Sequence, residues 1–263
     1  MGILLKELLY LLAVLVLIYL FFFYFYKLPR FFYLFFKKIR NPTKKDRILV
    51  LAPHPDDESL GCFAYLNKAK KVGAKIRVLV FTDGYFLANP ERRYSEVLTT
   101  LSKINILKKD VKFLGFRDIH LRKVYYCSDI LAKEIKDFKP TIIFSTSKYD
   151  SNPDHKALYY HLKKALEKAK TRAEIYYYLI HYKLKFYPLP TGLKENENLY
   201  PPMPLLLKNN LEWYKLELNE KENLLKKEAI LNYKSQLRMQ LFLTRRTLFS
   251  FIRKNELFFK EKI

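Results

Sequence analysis

The hydrophobic pattern changes character twice along the chain. From Leu8 to Tyr26 no position is charged and none is proline, and at about 1.5 Å per residue a helix of that length crosses a hydrocarbon core of roughly 30 Å. The stretch predicts a transmembrane helix. It is longer than the apolar region of a cleavable signal, and no small-x-small cleavage site comes after it. A second apolar run, Phe31-Phe32-Tyr33-Leu34-Phe35-Phe36, is too short to cross again. It either lies in the membrane interface with its basic neighbours on lipid phosphates, or continues the helix and packs on the domain beyond it.

Beyond Lys45, β-rich apolar runs alternate with helical patterns, the behaviour of a wound α/β domain. Strands are expected over 47–52, 75–81, 111–114, 141–145 and 174–179, with helices near 58–72, 91–106, 126–138 and 154–170. Residues 181–204 break the rhythm with five prolines and a glycine, and predict a long loop. A last strand-like run, 213–218, leads through Asn219 as N-cap into a helix over 220–236, and the basic, aromatic tail reads as a further helix. The fold class is therefore α/β: a Rossmann-like, mostly parallel sheet flanked by helices, preceded by an N-terminal transmembrane helix. At 263 residues, with no linker or repeat after residue 45, the chain divides into an anchor and juxtamembrane segment, 1–45, and one domain, 46–263.

The formal charge of +23 changes this picture by adding a partner. No zinc-finger spacing, RNP-type strand or basic block interleaved for base stacking is present, so no nucleic acid is expected and anionic membrane lipid is the better match. Lys27, Arg30, Lys37, Lys38, Arg40, Lys44, Lys45 and Arg47 come after the apolar helix, whereas Lys6 alone precedes it among the basic residues. That asymmetry places the N-terminus outside and the body of this single-pass protein in the cytoplasm. Cys62 and Cys127 form no CxxC pair, which fits a reducing compartment and a buried, inert Cys62.

Candidate chemistry begins where the first strand ends. Pro53-His54-Pro55-Asp56-Asp57-Glu58 sets an imidazole and two adjacent carboxylates on one tight turn, at the edge where open α/β sheets bind ligands. A catalytic zinc takes three protein ligands and keeps one position open, so a third ligand must come from elsewhere. The strand over 141–145 opens into a loop ending Asn152-Pro153-Asp154-His155 on the same edge, which makes His155 the third candidate. His120, His161 and His181 are left without a role by this reading.

These residues resemble the PIG-L-type, or LmbE-like, zinc-dependent deacetylases. The resemblance covers roughly residues 46–260 and rests on the Pro-His-Pro-Asp-Asp-Glu turn, Thr82-Asp83-Gly84, Arg93-Tyr94-Ser95-Glu96, Leu114-Gly115-Phe116-Arg117-Asp118, Pro153-Asp154-His155 and Tyr233-Lys234-Ser235-Gln236. It implies that His54, Asp57 and His155 bind zinc, with ferrous iron the other divalent candidate, and that Asp56 is the general base for the attacking water. The implied substrate is an N-acetylated sugar of GlcNAc type or its glycolipid, and the anchor suggests a lipid-linked or membrane-near one. One position departs: family members commonly carry histidine where this chain has Asn152, and asparagine can donate a hydrogen bond but cannot transfer a proton. Asn152 therefore stands as a catalytic candidate of altered chemistry, with His181 as its substitute or a structural histidine.

Plainer roles compete at the remaining positions. Asp83 and Asp154 would orient a ligand histidine from behind, although Asp83 also suits a turn. Arg92 or Arg93 would meet substrate, although Arg93 and Glu96 are spaced for a surface ion pair. Glu58 would cap its helix or touch ligand. Two other functions remain open: an amidase acting on a different N-acyl substrate, and a catalytically weak membrane-associated binding protein.

Overall fold

The computed structural model describes residues 2–85, 89–183, 194–237 and 247–262. It opens with α1 (Gly2–Phe22), a π-helical turn (Phe23–Lys27) and α2 (Leu28–Tyr33), then β1 (Lys37–Lys38), β2 (Arg47–Ala52) and α3 (Asp57–Lys71). The wound part continues through β3 (Lys75–Thr82), α4 (Pro90–Ser102), β4 (Val111–Phe116), α5 (Cys127–Phe138), β5 (Ile142–Thr146), α6 (Pro153–Ala169) and β6 (Glu174–Tyr178). It closes with α7 (Met203–Leu206), β7 (Leu211–Glu217), α8 (Glu220–Leu231), α9 (Lys234–Leu237) and β8 (Asn255–Glu261).

One eight-stranded sheet runs in the order β1-β7-β8-β6-β5-β2-β3-β4. Only β8 is antiparallel to its neighbours, β6 and β7. The order reverses at β2: the chain winds through β3 and β4 on one side, then returns to β5 and β6 on the other. Right-handed crossovers in two directions put α3 and α4 on one face and α5 and α6 on the other. β2 is buried on both faces, which explains its unbroken Ile-Leu-Val-Leu-Ala run. The crevice between the ends of β2 and β5 is the topological switch point where such sheets receive ligands.

Two expectations need correction. The tail forms the strand β8, whose Leu257, Phe258 and Phe259 enter the core, because a strand slot stands between β6 and β7. The helix expected over 220–236 stops at Leu231, and α9 comes after Asn232 and Tyr233. Part of the loop expected over 181–204, residues 184–193, lies outside the described residues, and the remainder includes the single turn α7.

Part of the segment before residue 46 packs on the domain. Tyr33 and Ile39 belong to the core, β1 pairs with β7, and Arg40 donates to Asp46 at 2.8 and 2.9 Å. The domain's packing thus reaches back to α2. By contrast α1 is exposed along its length; its window Leu5–Phe22 has a mean hydropathy of 2.3 with no residue buried, long and apolar enough to cross a membrane.

α3 is broken at Cys62, which has non-helical backbone angles (φ −144°, ψ 17°). Gly61 is required there, since a Cβ would lie 2.6 Å from the Tyr178 ring. The break frees backbone groups that buried side chains then satisfy: Glu256 accepts from Ala64 N and Tyr65 N, while Lys226 donates to Leu60 O and to Glu256 at 2.8 Å. β8 and α8 thereby hold the helix that carries Asp57 and Glu58. Cys62 and Cys127 are buried thiols, raised in pKa by burial.

Candidate metal centre

His54 stands one residue past the proline that ends β2, and the turn closes when Asp57 Oδ2 accepts from His54 N at 2.8 Å. From β5, the second loop delivers His155 into the first turn of α6. His54 Nδ1 lies 3.0 Å from His155 Nε2; Asp57 Oδ2 lies 3.3 Å from the first and 3.2 Å from the second. Two ring nitrogens and a carboxylate oxygen thus face one point, an electron-rich cluster that a cation relieves. Their separations match the roughly 3.3 Å edge of a tetrahedral ion with ligands at about 2.0–2.1 Å, so the residues fit a metal.

The outer faces of both histidines meet carboxylates. His54 Nε2 lies 3.1 Å from Asp118 Oδ1 and 3.3 Å from Asp154 Oδ2. His155 Nδ1 lies 3.0 Å from Asp150 Oδ2, an ionic contact short of hydrogen-bond alignment. Such partners fix which nitrogen turns inward and raise the ring's basicity. Burial alone would lower both imidazoles. For His54 the hydrogen bonds to Asp118, Asp154 and Asp57 reverse this, and for His155 the charges of Asp150 and Asp57 push it up to about 9. Burial would raise Asp57, yet the two histidines hold it well below the usual carboxylate range.

Asp56, next in sequence to Asp57, has a different environment. Its φ of 141° is rare for a non-glycine residue and swings its carboxylate away from the three converging atoms. The buried Arg93 donates to Asp56 Oδ2 at 3.0 Å, to Gly84 O at 3.3 Å and to Pro55 O. Asp56 N donates to Glu58 Oε2, and Glu58 Oε1 accepts from the hydroxyls of Ser59 and Tyr233. Burial pushes Asp56 up to about 7, with Asp57 and Glu58 adding to it and Arg93 opposing.

Several sequence candidates lie elsewhere than expected. Arg93 is 1% exposed, its terminal nitrogens on the Asp56 turn and Gly84 and its Nε without a hydrogen-bond partner among the described residues. Arg92 points outward, 3.5 Å from Glu96. No surface pair joins Arg93 to Glu96, because Glu96 is buried and accepts from Ser235 N and Oγ. Glu58 is buried and reaches back to the N-cap of α3, accepting from Asp56 N. Asp83 touches no histidine; it accepts from Asp118 N and Tyr85 N and so sets the loop that carries Asp118. Asp154 does reach His54, while accepting from Ile119 N and Leu121 N. Asn152 Oδ1 caps α6, accepting from Asp154 N at 2.8 Å and His155 N at 3.5 Å. His181 lies along the site, its ring centre 5.6 Å from that of His155. His120 and His161 bond to the carbonyls of Asp118 and Leu121.

Asp118 and Asp150 are carboxylates to which the sequence alone assigns no role. Each lies within a few residues of a parallel strand's C-terminal end, and that placement is the signal that could have found them.

With this geometry, residues 49–166 match the family model described as PIG-L: GlcNAc-PI de-N-acetylase. The match covers less than half of the chain. A curated relative, a probable N-acetyl-alpha-D-glucosaminyl L-malate deacetylase 2 of Bacillus subtilis (strain 168), is 30% identical over 128 residues, covering 43% of this chain. The chain spans 57% of that relative's length. Among solved structures, N,N'-diacetylchitobiose deacetylase from Pyrococcus horikoshii aligns at a TM-score of 0.57 and 18% identity, over 85% of this chain and 87% of that one. A conserved protein from Thermus thermophilus aligns at 0.55 and 24%, over 76% and 84%. At these identities the two structures show likeness of fold alone.

Proposed function

We propose that the protein is a membrane-anchored, metal-dependent hydrolase that removes acetyl from an N-acetylated sugar of GlcNAc type. The observation that carries this reading is the convergence of His54 Nδ1, Asp57 Oδ2 and His155 Nε2 beside a buried carboxylate, Asp56, that is not one of the three. His54, Asp57 and His155 would hold zinc or another divalent ion, which when bound polarises a carbonyl and lowers the pKa of water. Asp118, Asp154 and Asp150 hold the two imidazoles with their inward nitrogens free of protons.

Asp56 takes the proton from the attacking water as the new C–O bond forms at the acetamide carbon. Breaking the C–N bond then returns that proton to the leaving nitrogen, giving acetate and a free amine. A single group performs both transfers because Asn152 cannot exchange a proton and its carbonyl oxygen caps α6. His181, whose ring centre lies 5.6 Å from that of His155, would donate a hydrogen bond to the carbonyl oxygen as charge develops there. Burial lowers its pKa, which keeps the ring neutral.

The membrane assignment is supported by α1 and the cations beyond it, with the domain on the cytoplasmic side. The anchor favours a sugar carried on a lipid or lying near the bilayer, where tethering raises its local concentration.

The test is acetate release from a panel of free and lipid-linked N-acetyl sugars by the full-length protein, with bound metal measured in the same preparation. Activity is expected on a GlcNAc-type member, and Asp56→Asn should retain the metal while losing turnover by about 10²–10⁴-fold. Full activity in that variant removes Asp56 as the base; hydrolysis of other N-acyl compounds alone replaces the sugar reading with that of a different amidase.

A further inference from the structure

α2 has two faces of opposite fate. Its inner face is locked to the domain: Pro29 and Tyr33 are buried, Tyr33 meets the Tyr200 ring edge-on at 5.4 Å, and Lys215 lies over Tyr33 while donating to its carbonyl. Just beyond it, Phe36 stacks on Trp213 at 5.9 Å, and β1 pairs in register with β7. The outer face and the turn after it present Phe31, Leu34 and Phe35 at 56, 68 and 70% exposure. They form a continuous patch, the Phe31 and Phe35 rings meeting at 5.4 Å. Exposed Lys27 and Lys38 border it, with Lys37 paired to Glu212, and the whole comes directly after the unburied α1.

We propose that the outer face of α2 and of the turn after it, Phe31, Leu34 and Phe35 with Lys27 and Lys38, is a docking surface for an anionic lipid bilayer that seats the domain in one fixed orientation. The patch has the chemistry of an interfacial helix, with apolar rings for the acyl boundary and ammonium groups for phosphates. Continuity with α1 brings it to the bilayer, and the β1–β7 pairing transmits its orientation to the sheet. The inference rests on the membrane-anchor reading but adds to it, because an anchor alone would leave the domain on a tether.

Trp213 is the only tryptophan in the chain and stacks on Phe36, next in sequence to the patch residue Phe35, so it reports depth without a label. Full-length protein is reconstituted into phosphatidylcholine vesicles with and without phosphatidylserine, carrying lipids brominated near the headgroup end of their acyl chains. Trp213 fluorescence should be quenched, more strongly with phosphatidylserine, and this gain should weaken as salt rises. The variant Phe31→Ser/Leu34→Ser/Phe35→Ser should lose about half or more of the quenching while still floating with vesicles through α1. Its Trp213 emission in detergent should match the wild type, since the three side chains are exposed. Floating protein without quenching overturns the docking and leaves the anchor; equal quenching in the variant overturns the assignment to this patch. Protein that fails to float overturns both.

Discussion

The two turns that build the centre sit at the ends of adjacent strands and are made in opposite ways. After β5, the turn is assembled from local bonds: Asp150 Oδ1 accepts from Asn152 N, and Asn152 then caps α6 with ordinary extended backbone angles. After β2, the turn carries Asp56 at a φ of 141° and is held by Arg93 from α4 and by Tyr233 from beyond α8. The first arrangement delivers one ligand, His155, in a regular helix. The second must hold a ligand carboxylate and an independent carboxylate side by side, which regular backbone does not do. Strain is concentrated where two adjacent residues have separate tasks, and distant side chains maintain it.

The largest effect should come from removing such a distant support. Arg93→Met leaves Asp56 buried without its cation and two carbonyls without a donor, and should cost about 3–5 kcal/mol of stability. A urea midpoint close to that of the wild type would show that the turn supports itself.

This division also governs how much is legible in the sequence. The β2 strand, the sheet edge, His54 and His155 are visible in local patterns, namely an unbroken apolar run and histidines just beyond strand ends with carboxylates beside them, whereas the choice of Asp57 over Asp56 comes from the family resemblance. The roles of Arg93, Glu58 and Tyr233 are not visible, because each depends on a partner brought close only by the finished fold. Glu58 beside Asp57 looks like a helix-start acid and no more until Tyr233 is known to bond to it. β8 escapes a sequence reading for a similar reason: Glu256 and Lys260 make the tail look helical and solvated, but they satisfy Lys226 and Glu174 inside the assembled sheet.

A smaller effect is expected from altering the support of His155. Asp150 accepts from Ile180 N and His181 N, each at 3.0 Å, as well as contacting the ring, so Asp150→Asn keeps much of the loop but removes the charge behind His155. Metal affinity should fall about 10–100-fold, read by competition with a chelator. Unchanged affinity would mean that the ring is oriented by packing alone.

The smallest effect belongs to the locally built turn. Asn152→Ala removes the cap of α6 and should cost about 1 kcal/mol, and Asn152→Ser should recover most of it because serine caps comparably. If capping is the task of Asn152 here, turnover in the serine variant should stay within about threefold of wild type, since an N-cap supports the helix and not the transition state. A loss beyond about tenfold with stability restored would assign the Asn152 amide group a hydrogen bond to the reacting atoms. The two turns would then differ in construction but not in chemical duty, and His181 would no longer be needed as the donor on that side.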